Sequence, residues 1–599
     1  MRAILVGCAA AVLAAAQGAN LTVTTGLVTT AIDERIYGVA LDPQLIRELW
    51  GEAVRNRSFE EALSSGAWRV NRGVLECTGG DGRFRFGDDT WRDYEIAVDA
   101  VRPGADGALL IGNTSYTIVL GAGRFDLVRG DAVLQSAPGA IEKGRAYRLR
   151  LRVEPRRLQF WLDGRRLFDL AEDTAGGPFV GTRGGPGRFA NLKASSLDGA
   201  ALLPGVPTAA RDWYATGALE TELSRDPALN GDLCTRVVVG DGEGGIEQHG
   251  IAARAGDTLR GSLWMRGQVQ GVTIRLVDGS HVLASQQIAP PGDRWGEVAI
   301  ALTPAASAPA AILQILARGP AAAFIDQVSL MPDSARATGG FRPDLLQALA
   351  ALHPPILRWE PGNWKDAIGP QAKRSAAFGI DEAVALARKL GAQLVPVAGA
   401  DARELLDYCR ACGLRYIEVP PGTAGIKQAN PAIKIVAAAK GPGVDYVLAN
   451  AWNVQDHGLR AAAALNAMER RATVRMATAV GLIHFDPAGW SPTPDYAVLK
   501  IYREHYASDV LQLSGEAGGL EAIATGTADG GRICLKLVNS RNDAAPVEVA
   551  LRGDFPLAAA AMQVMSADGR IESAPVERAG LSVKFRIPPQ SVAVVTLLR

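Results

Sequence analysis

Two carboxylates and a set of indoles and amides are the residues of this chain best suited to chemistry. Glu360 and Glu418 each stand at the end of a short apolar run, ILRWE and YIE. Trp359, Asn363 and Trp364 flank the first; Asn450 and Trp452 lie in VLANAW, and Trp490 follows further on. Two carboxyl groups facing one cleft can divide a reaction, one lending a proton to a leaving oxygen while the other attacks carbon. Indole faces and side-chain amides supply the stacking and hydrogen bonds that sugar recognition uses. The same residues also admit a structural reading. Glu418 would then pair with Arg358 or Arg415, Glu360 would be solvated in a loop, and the tryptophans would fill a core.

The elements that would position them are legible around Gly340 to Pro370. Leu345, Leu346, Leu349 and Leu352 recur at helical spacing, and Pro354 and Pro355 end that helix. Ile356 to Trp359 is short and apolar, as a strand covered on both faces should be. Polar groups bunched just past such a strand are what an α/β barrel places at its active mouth. Further strands are expected at Ile36 to Asp42, Leu394 to Ala398, Tyr416 to Val419, Ile433 to Ala437, Tyr446 to Ala449 and Ala479 to Phe485. Helices are expected at Asp401 to Cys412, capped by Asp401, and at Leu459 to Arg471. That makes seven strands where a full barrel has eight. The predicted fold class is multidomain, α/β plus all-β: a shortened (β/α) TIM-like barrel with two inserted β-sandwich modules and a C-terminal β-sandwich.

Between the first and second barrel strands the pattern changes to strands separated by Gly, Pro and Asp turns. Tyr94 to Val101, Ala108 to Ile111, Tyr116 to Leu120, Tyr147 to Val153 and Leu158 to Leu162 alternate or run apolar, and Asp163-Gly164 marks a hairpin. This layout resembles concanavalin-like lectin sandwiches, in which Trp68, Trp91 and Trp161 would be core or sugar-stacking residues. Gly250 to Arg266, Trp295 to Leu302 and Phe324 to Pro332 resemble the strands of galactose-binding-like carbohydrate-binding modules. The domain division read from these features is 1–19 signal peptide, 20–60 start of the barrel with a possible sandwich strand, 61–200 first insert, 201–335 second insert, 336–500 remainder of the barrel and 501–599 C-terminal sandwich.

A resemblance to a known family rests on several motifs. LWGEAVRNRSFE (49–60), LRWEPG (357–362), WKDAIGP (364–370), the exit WSPTPDYAVLKIYREH (490–505) and IPPQSV (587–592) resemble segments of the α-L-arabinofuranosidases of glycoside hydrolase family 51. The likeness runs over residues 30–60, 202–380 and 410–599. It implies a secreted protein acting on terminal α-L-arabinofuranosyl residues of arabinose-containing polysaccharides, with a carbohydrate as partner. It also exposes a departure. The family's acid/base position falls on Gly422, and its nucleophile on Asn450; in a rival alignment the nucleophile strand is deleted. Neither residue can carry the role, so a catalytically silent carbohydrate-binding relative is the alternative. Glu360 and Glu418 are the candidate substitutes.

Composition narrows the remaining classes. Among 599 residues, Lys+Arg and Asp+Glu both number 63, which gives no electrostatic reason to expect nucleic acid or an anionic membrane. Hydrophobic content of 48% allows well-filled cores. Residues 1–19 read as an export signal, with Arg2 ahead of an apolar run and small residues after it, so a periplasmic or extracellular protein is expected. The residues ahead of Cys8 are too few for the apolar run of a lipoprotein signal. No later stretch is long and apolar enough for a membrane span. Cys77, Cys234, Cys409, Cys412 and Cys534 are scattered, the histidines are isolated, and neither a metal nor a cofactor is expected.

Overall fold

The computed structural model describes residues 18–599 except 372–373, 399–401, 421–425, 442, 453–457 and 487–488; residues 218, 411, 428–429 and 450–452 are described by their backbone alone. Most of the export signal and Cys8 therefore lie outside the described residues, as do the Asp401 cap and Gly422. The chain divides into two compact units. One comprises the chain up to Leu49 with Pro343–Trp364 and Phe378–Arg599; the other comprises Trp50–Arg342 and Lys365–Ala377.

Among its described residues the first unit contains seven short parallel strands: β1 (Gly38–Leu41), β2 (Ile356–Trp359), β3 (Gln393–Pro396), β4 (Tyr416–Glu418), β5 (Lys434–Ala437), β6 (Tyr446–Trp452) and β7 (Met476–Ala479). Their order is β3-β2-β1-β7-β6-β5-β4. A parallel bridge from Val397 to Glu418 joins the two ends, and the Ala398 N–H donates to Glu418 O at 2.8 Å. The sheet thus returns on itself. Helices α1 (Pro43–Leu49), α2 (Pro343–Ala350), α3 (Ile380–Leu390), α4 (Ala402–Tyr408), α5 (Ile426–Ala429), α6 (Gly458–Glu469) and α7 (Pro494–Glu504) intervene. Among the described residues, the connection 438–445 between β5 and β6 carries no helix.

Local chemistry explains the better-defined helices. Glu382 reaches back to the Gly379 N–H at 2.8 Å, and Gly391 ends α3 with φ +67°, a left-handed cap that glycine adopts without steric cost. Asp381 and Glu382 occupy its first turn and Arg388 and Lys389 its last, matching the helix dipole. In α7, Thr493 caps the Tyr496 N–H and Pro494 opens the helix.

Two strand expectations are corrected. Ile36 lies in a 3-10 turn, Glu34–Tyr37, capped by Asp33, so β1 begins only at Gly38. The apolar run from Ala479 to Phe485 is not one strand. Gly481 has φ +69° and splits it; β7 ends at Ala479, and Ile483–Asp486 pairs with Gly489–Pro492 in a separate hairpin.

The inside of the ring is layered. Ile356, Val395, Val436, Leu448 and Met476, one from each of five strands, form its buried apolar middle. At the N-terminal ends of the strands, Arg35 donates to Tyr416 Oη at 2.7 Å and lies over the Tyr446 ring at 4.6 Å. Asp33 pairs with Arg35 and Arg475. Burial works against the charge of Asp33, but its bonds with Arg35 outweigh it and hold the carboxyl below its usual range. This cation, flanked by two phenols, lies at the N-terminal end of the ring.

The unit also holds a ten-stranded antiparallel-rich sheet. The expected N-terminal strand is present: Ala19–Ala31 pairs antiparallel with Asp509–Glu516 and parallel with Ala545–Arg552.

The second unit is almost wholly β. A hairpin joins Arg157–Leu162 to Arg165–Leu170 through Asp163 and Gly164, with φ +47° and +82°, the twist such two-residue turns require. Trp68 is core, buried against Phe84 and Phe189. Trp161 is half-buried under the Arg150 guanidinium, 4.4 Å from its centroid. The strands Trp68–Asn71 and Tyr214–Ser224 pair directly, so both expected inserts contribute to one continuous sheet. Residues 365–377 are tied into this unit by Arg57, which donates to the carbonyls of Gln371 and Arg374, and by Gln327, which donates to Arg374 O at 2.9 Å.

Candidate active site

The C-terminal ends of the parallel strands carry the candidate carboxylates. Along β2, Ile356 and Arg358 share one side by strand alternation, and Ile356 belongs to the ring's interior core; Glu360 follows directly after the strand. Along β4, Tyr416 and Glu418 share the side that packs on the same core. Arg358 can therefore reach Glu418 across the intervening β3. The guanidinium Nε donates to Glu418 Oε2 at 2.7 Å, and Nη2 donates to Glu418 Oε1 at 3.1 Å. The same Nη2 donates to Glu360 Oε2 at 3.2 Å. Glu418 is buried at 9% exposure, whereas the Glu360 side chain is 59% exposed. Burial opposes the charge on Arg358, but the two glutamates outweigh it and hold the guanidinium above its ordinary value.

The structure thus brings Glu360 and Glu418 together, but around a cation. Both Glu418 oxygens are taken up by the guanidinium in a two-bond contact. Asp42, at the end of β1, accepts the Leu45 N–H at 2.8 Å and so caps α1. Among the described residues, no group of three or more His, Cys, Asp or Glu is arranged to hold a metal ion.

The aromatic candidates separate by strand parity. Trp359 falls on the opposite side of β2 from Arg358, is 2% exposed, and packs edge-on to Trp364 and Phe378 at 5.3 and 5.6 Å. The Trp364 Nε1 donates to Val397 O at 2.9 Å. Both indoles brace the strand ends rather than presenting an open stacking face, a correction to the expectation for them. Asn363 is exposed beside them. Trp490 is half-buried in the hairpin after β7, and its Nε1 donates to Asp344 Oδ2 at 2.8 Å, near the start of α2. A helix leading into a parallel strand starts at the level of that strand's C-terminal end, so this indole stands at the mouth side. Asn450 and Trp452 lie on β6.

The cluster of Arg35, Tyr416 and Tyr446 escapes a reading by motif. Only the aromatic residue opening both β4 and β6 hints at it.

No protein-family profile matches the chain. Over 123 residues it is 32% identical to "Alpha-L-arabinofuranosidase 1" of Arabidopsis thaliana, a match that spans 18% of either chain. An arabinose-bound GH51 α-L-arabinofuranosidase, MgGH51, superposes with a TM-score of 0.55 at 15% identity, over 65% of this chain and 91% of that one. The Thermotoga maritima α-L-arabinofuranosidase in complex with arabinose gives a TM-score of 0.38 at 17% identity, over 43% of this chain and 90% of that one. At these identities the structural likeness concerns the fold.

Proposed function

From this resemblance to the GH51 α-L-arabinofuranosidases, we propose that the chain is an exported, arabinofuranosidase-type protein that engages terminal α-L-arabinofuranosyl residues of arabinose-containing polysaccharides and does so without cleaving them. The closed ring of parallel strands is read as a shortened (β/α) barrel. Parallel neighbours are ordinarily joined by a crossover of a dozen or more residues, so the link 438–445, which carries no helix among its described residues, is where one strand–helix unit would be missing. Counting back from β7 then makes β6 the penultimate strand, the one to which the resemblance assigns the nucleophile; its residue there is Asn450. An amide cannot form the glycosyl ester of a retaining mechanism.

The observation that carries the silent reading is the grip of Arg358 on both Glu418 and Glu360. With both substitute carboxylates committed to one cation, neither Glu360 nor Glu418 is left to act as a free acid or nucleophile, while the mouth keeps polar groups for binding. The charged and apolar start of residues 1–19 supports export. The β-rich modules of the second unit are proposed to be carbohydrate-binding.

The test uses the purified protein with an aryl α-L-arabinofuranoside and, separately, affinity gels containing arabinan or arabinoxylan. Retardation in the gel without aglycone release is expected. Turnover that disappears in Glu360→Gln or Glu418→Gln would replace this reading with hydrolysis by relocated carboxylates. Neither retardation nor turnover would remove the glycan reading.

A further inference from the structure

The sequence CRAC at the end of α4 has no part in the glycan reading. Cys409–Ala411 form one 3-10 turn; Cys412 closes it with φ −75° and ψ −18°, and its N–H donates to Cys409 O at 2.9 Å. In a 3-10 turn, residues i and i+3 eclipse, with a rise of about 2 Å per residue, so their Cα atoms stand roughly 6 Å apart. That separation lies within the ~4.4–6.8 Å that a disulfide spans. Both thiols are free. Arg388 holds the turn in place by donating to Cys412 O at 3.1 Å. The exposures differ: Cys409 is buried at 4%, and Cys412 is half-exposed.

We propose that Cys409 and Cys412 are a redox site, closing reversibly into a disulfide across one turn just ahead of β4, the strand that carries Glu418. The oxidant is a disulfide of small-molecule or protein thiols. The accessible Cys412, as thiolate, attacks one sulfur of that disulfide; its S–S bond breaks, the mixed disulfide forms, and one thiolate leaves and takes a proton. Cys409 then loses its proton to solvent and attacks the Cys412 sulfur. The second oxidant thiolate leaves and is protonated. One external disulfide is reduced to two thiols while two cysteine thiols become one disulfide. Burial, followed by the neighbouring sulfur, pushes the Cys409 thiol up, and the greater exposure of Cys412 makes it the first to meet the oxidant.

The inference does not depend on glycan binding. The folded full chain is incubated with oxidised glutathione, quenched, unfolded, alkylated and analysed by peptide mass spectrometry. The peptide containing both cysteines should lose two hydrogens and become refractory to alkylation, passing through a glutathione adduct on Cys412, and dithiothreitol should reverse it. In Cys409→Ser the adduct should persist; in Cys412→Ser no closure should occur. The buried Cys77, Cys234 and Cys534 serve as internal references for thiols that stay alkylatable only after unfolding. Two free thiols after oxidation, or an adduct on Cys412 of the unsubstituted protein that never closes, would overturn the proposal.

Discussion

Arg358 decides what the two candidate carboxylates can do. Its fork satisfies both oxygens of Glu418 and one of Glu360, and a planar guanidinium is suited to such bidentate contact in a way an ammonium is not. Elsewhere a single residue sets a pH dependence. Asp326 is fully buried in the second unit. Its carboxylate accepts the N–H groups of Leu229 and Gln327. Burial pushes the carboxyl from 3.8 up to about 7, helped by the nearby Glu60 charge and opposed by the backbone bonds. A raised folded-state value means that the native protein binds the extra proton. The stability this brings is complete below pH 3.8 and is lost as pH rises to about 7. Chemical denaturation followed in the second unit should therefore show a midpoint that declines across that window. Asp326→Asn should flatten the decline; an unchanged slope would mean that other groups govern it.

At the scale of elements, β1 lies close against both of its neighbours at Gly38. A Cβ on Gly38 would stand 2.4 Å from Ile356 Cγ1 and 2.7 Å from Ala477 O, contacts to both neighbouring strands. Gly38 has φ −73°, so close approach and not backbone conformation demands glycine there. Gly38→Ala should destabilise the first unit by about 1–3 kcal/mol through overpacking, measured by urea unfolding. A neutral substitution would mean that the ring can spread locally. The strands themselves were readable because short apolar runs bounded by Gly and Pro are local signals; β2 matches its expected limits. The misread run Ala479 to Phe485 is instructive: apolar periodicity continues through Gly481, and only the left-handed turn there ends the strand.

At the scale of the whole molecule, the first unit is pinned by a buried charge pair between its parallel ring and its antiparallel sheet. Lys536, on the strand Arg532–Asn539, lies 2.5 Å from Glu469 at the end of α6, and both side chains have 0% exposure. The Tyr37 hydroxyl donates to the same Glu469 oxygen, and the Lys536 ammonium lies 4.8 Å from the Tyr502 ring centroid. Burial, followed by the Glu469 charge, pushes the Tyr37 phenol well above its usual range, which keeps it a donor. Lys536→Met should cost about 3–5 kcal/mol by stranding the glutamate, while Lys536→Met with Glu469→Leu should recover much of it. Equilibrium unfolding checks both; a double substitution as destabilised as the single one would show that the site cannot repack without its charges.

What the sequence alone determined is what local order and residue identity can carry. It yielded the alternating β-rich stretches, the short buried strands, and the glycine and asparagine where the resemblance calls for carboxylates; Gly422 itself lies outside the described residues. What only the tertiary structure decided are the pairings between distant positions. It set the meeting of Arg358 with Glu418 across a strand, the bridge that turns seven strands into a ring, and the partnership of Tyr37, Glu469 and Lys536. The physical reason is range. Periodicity reports which side of an element is apolar from its nearest neighbours, whereas an ion pair or a strand register depends on which surfaces the folded chain brings within a few ångströms.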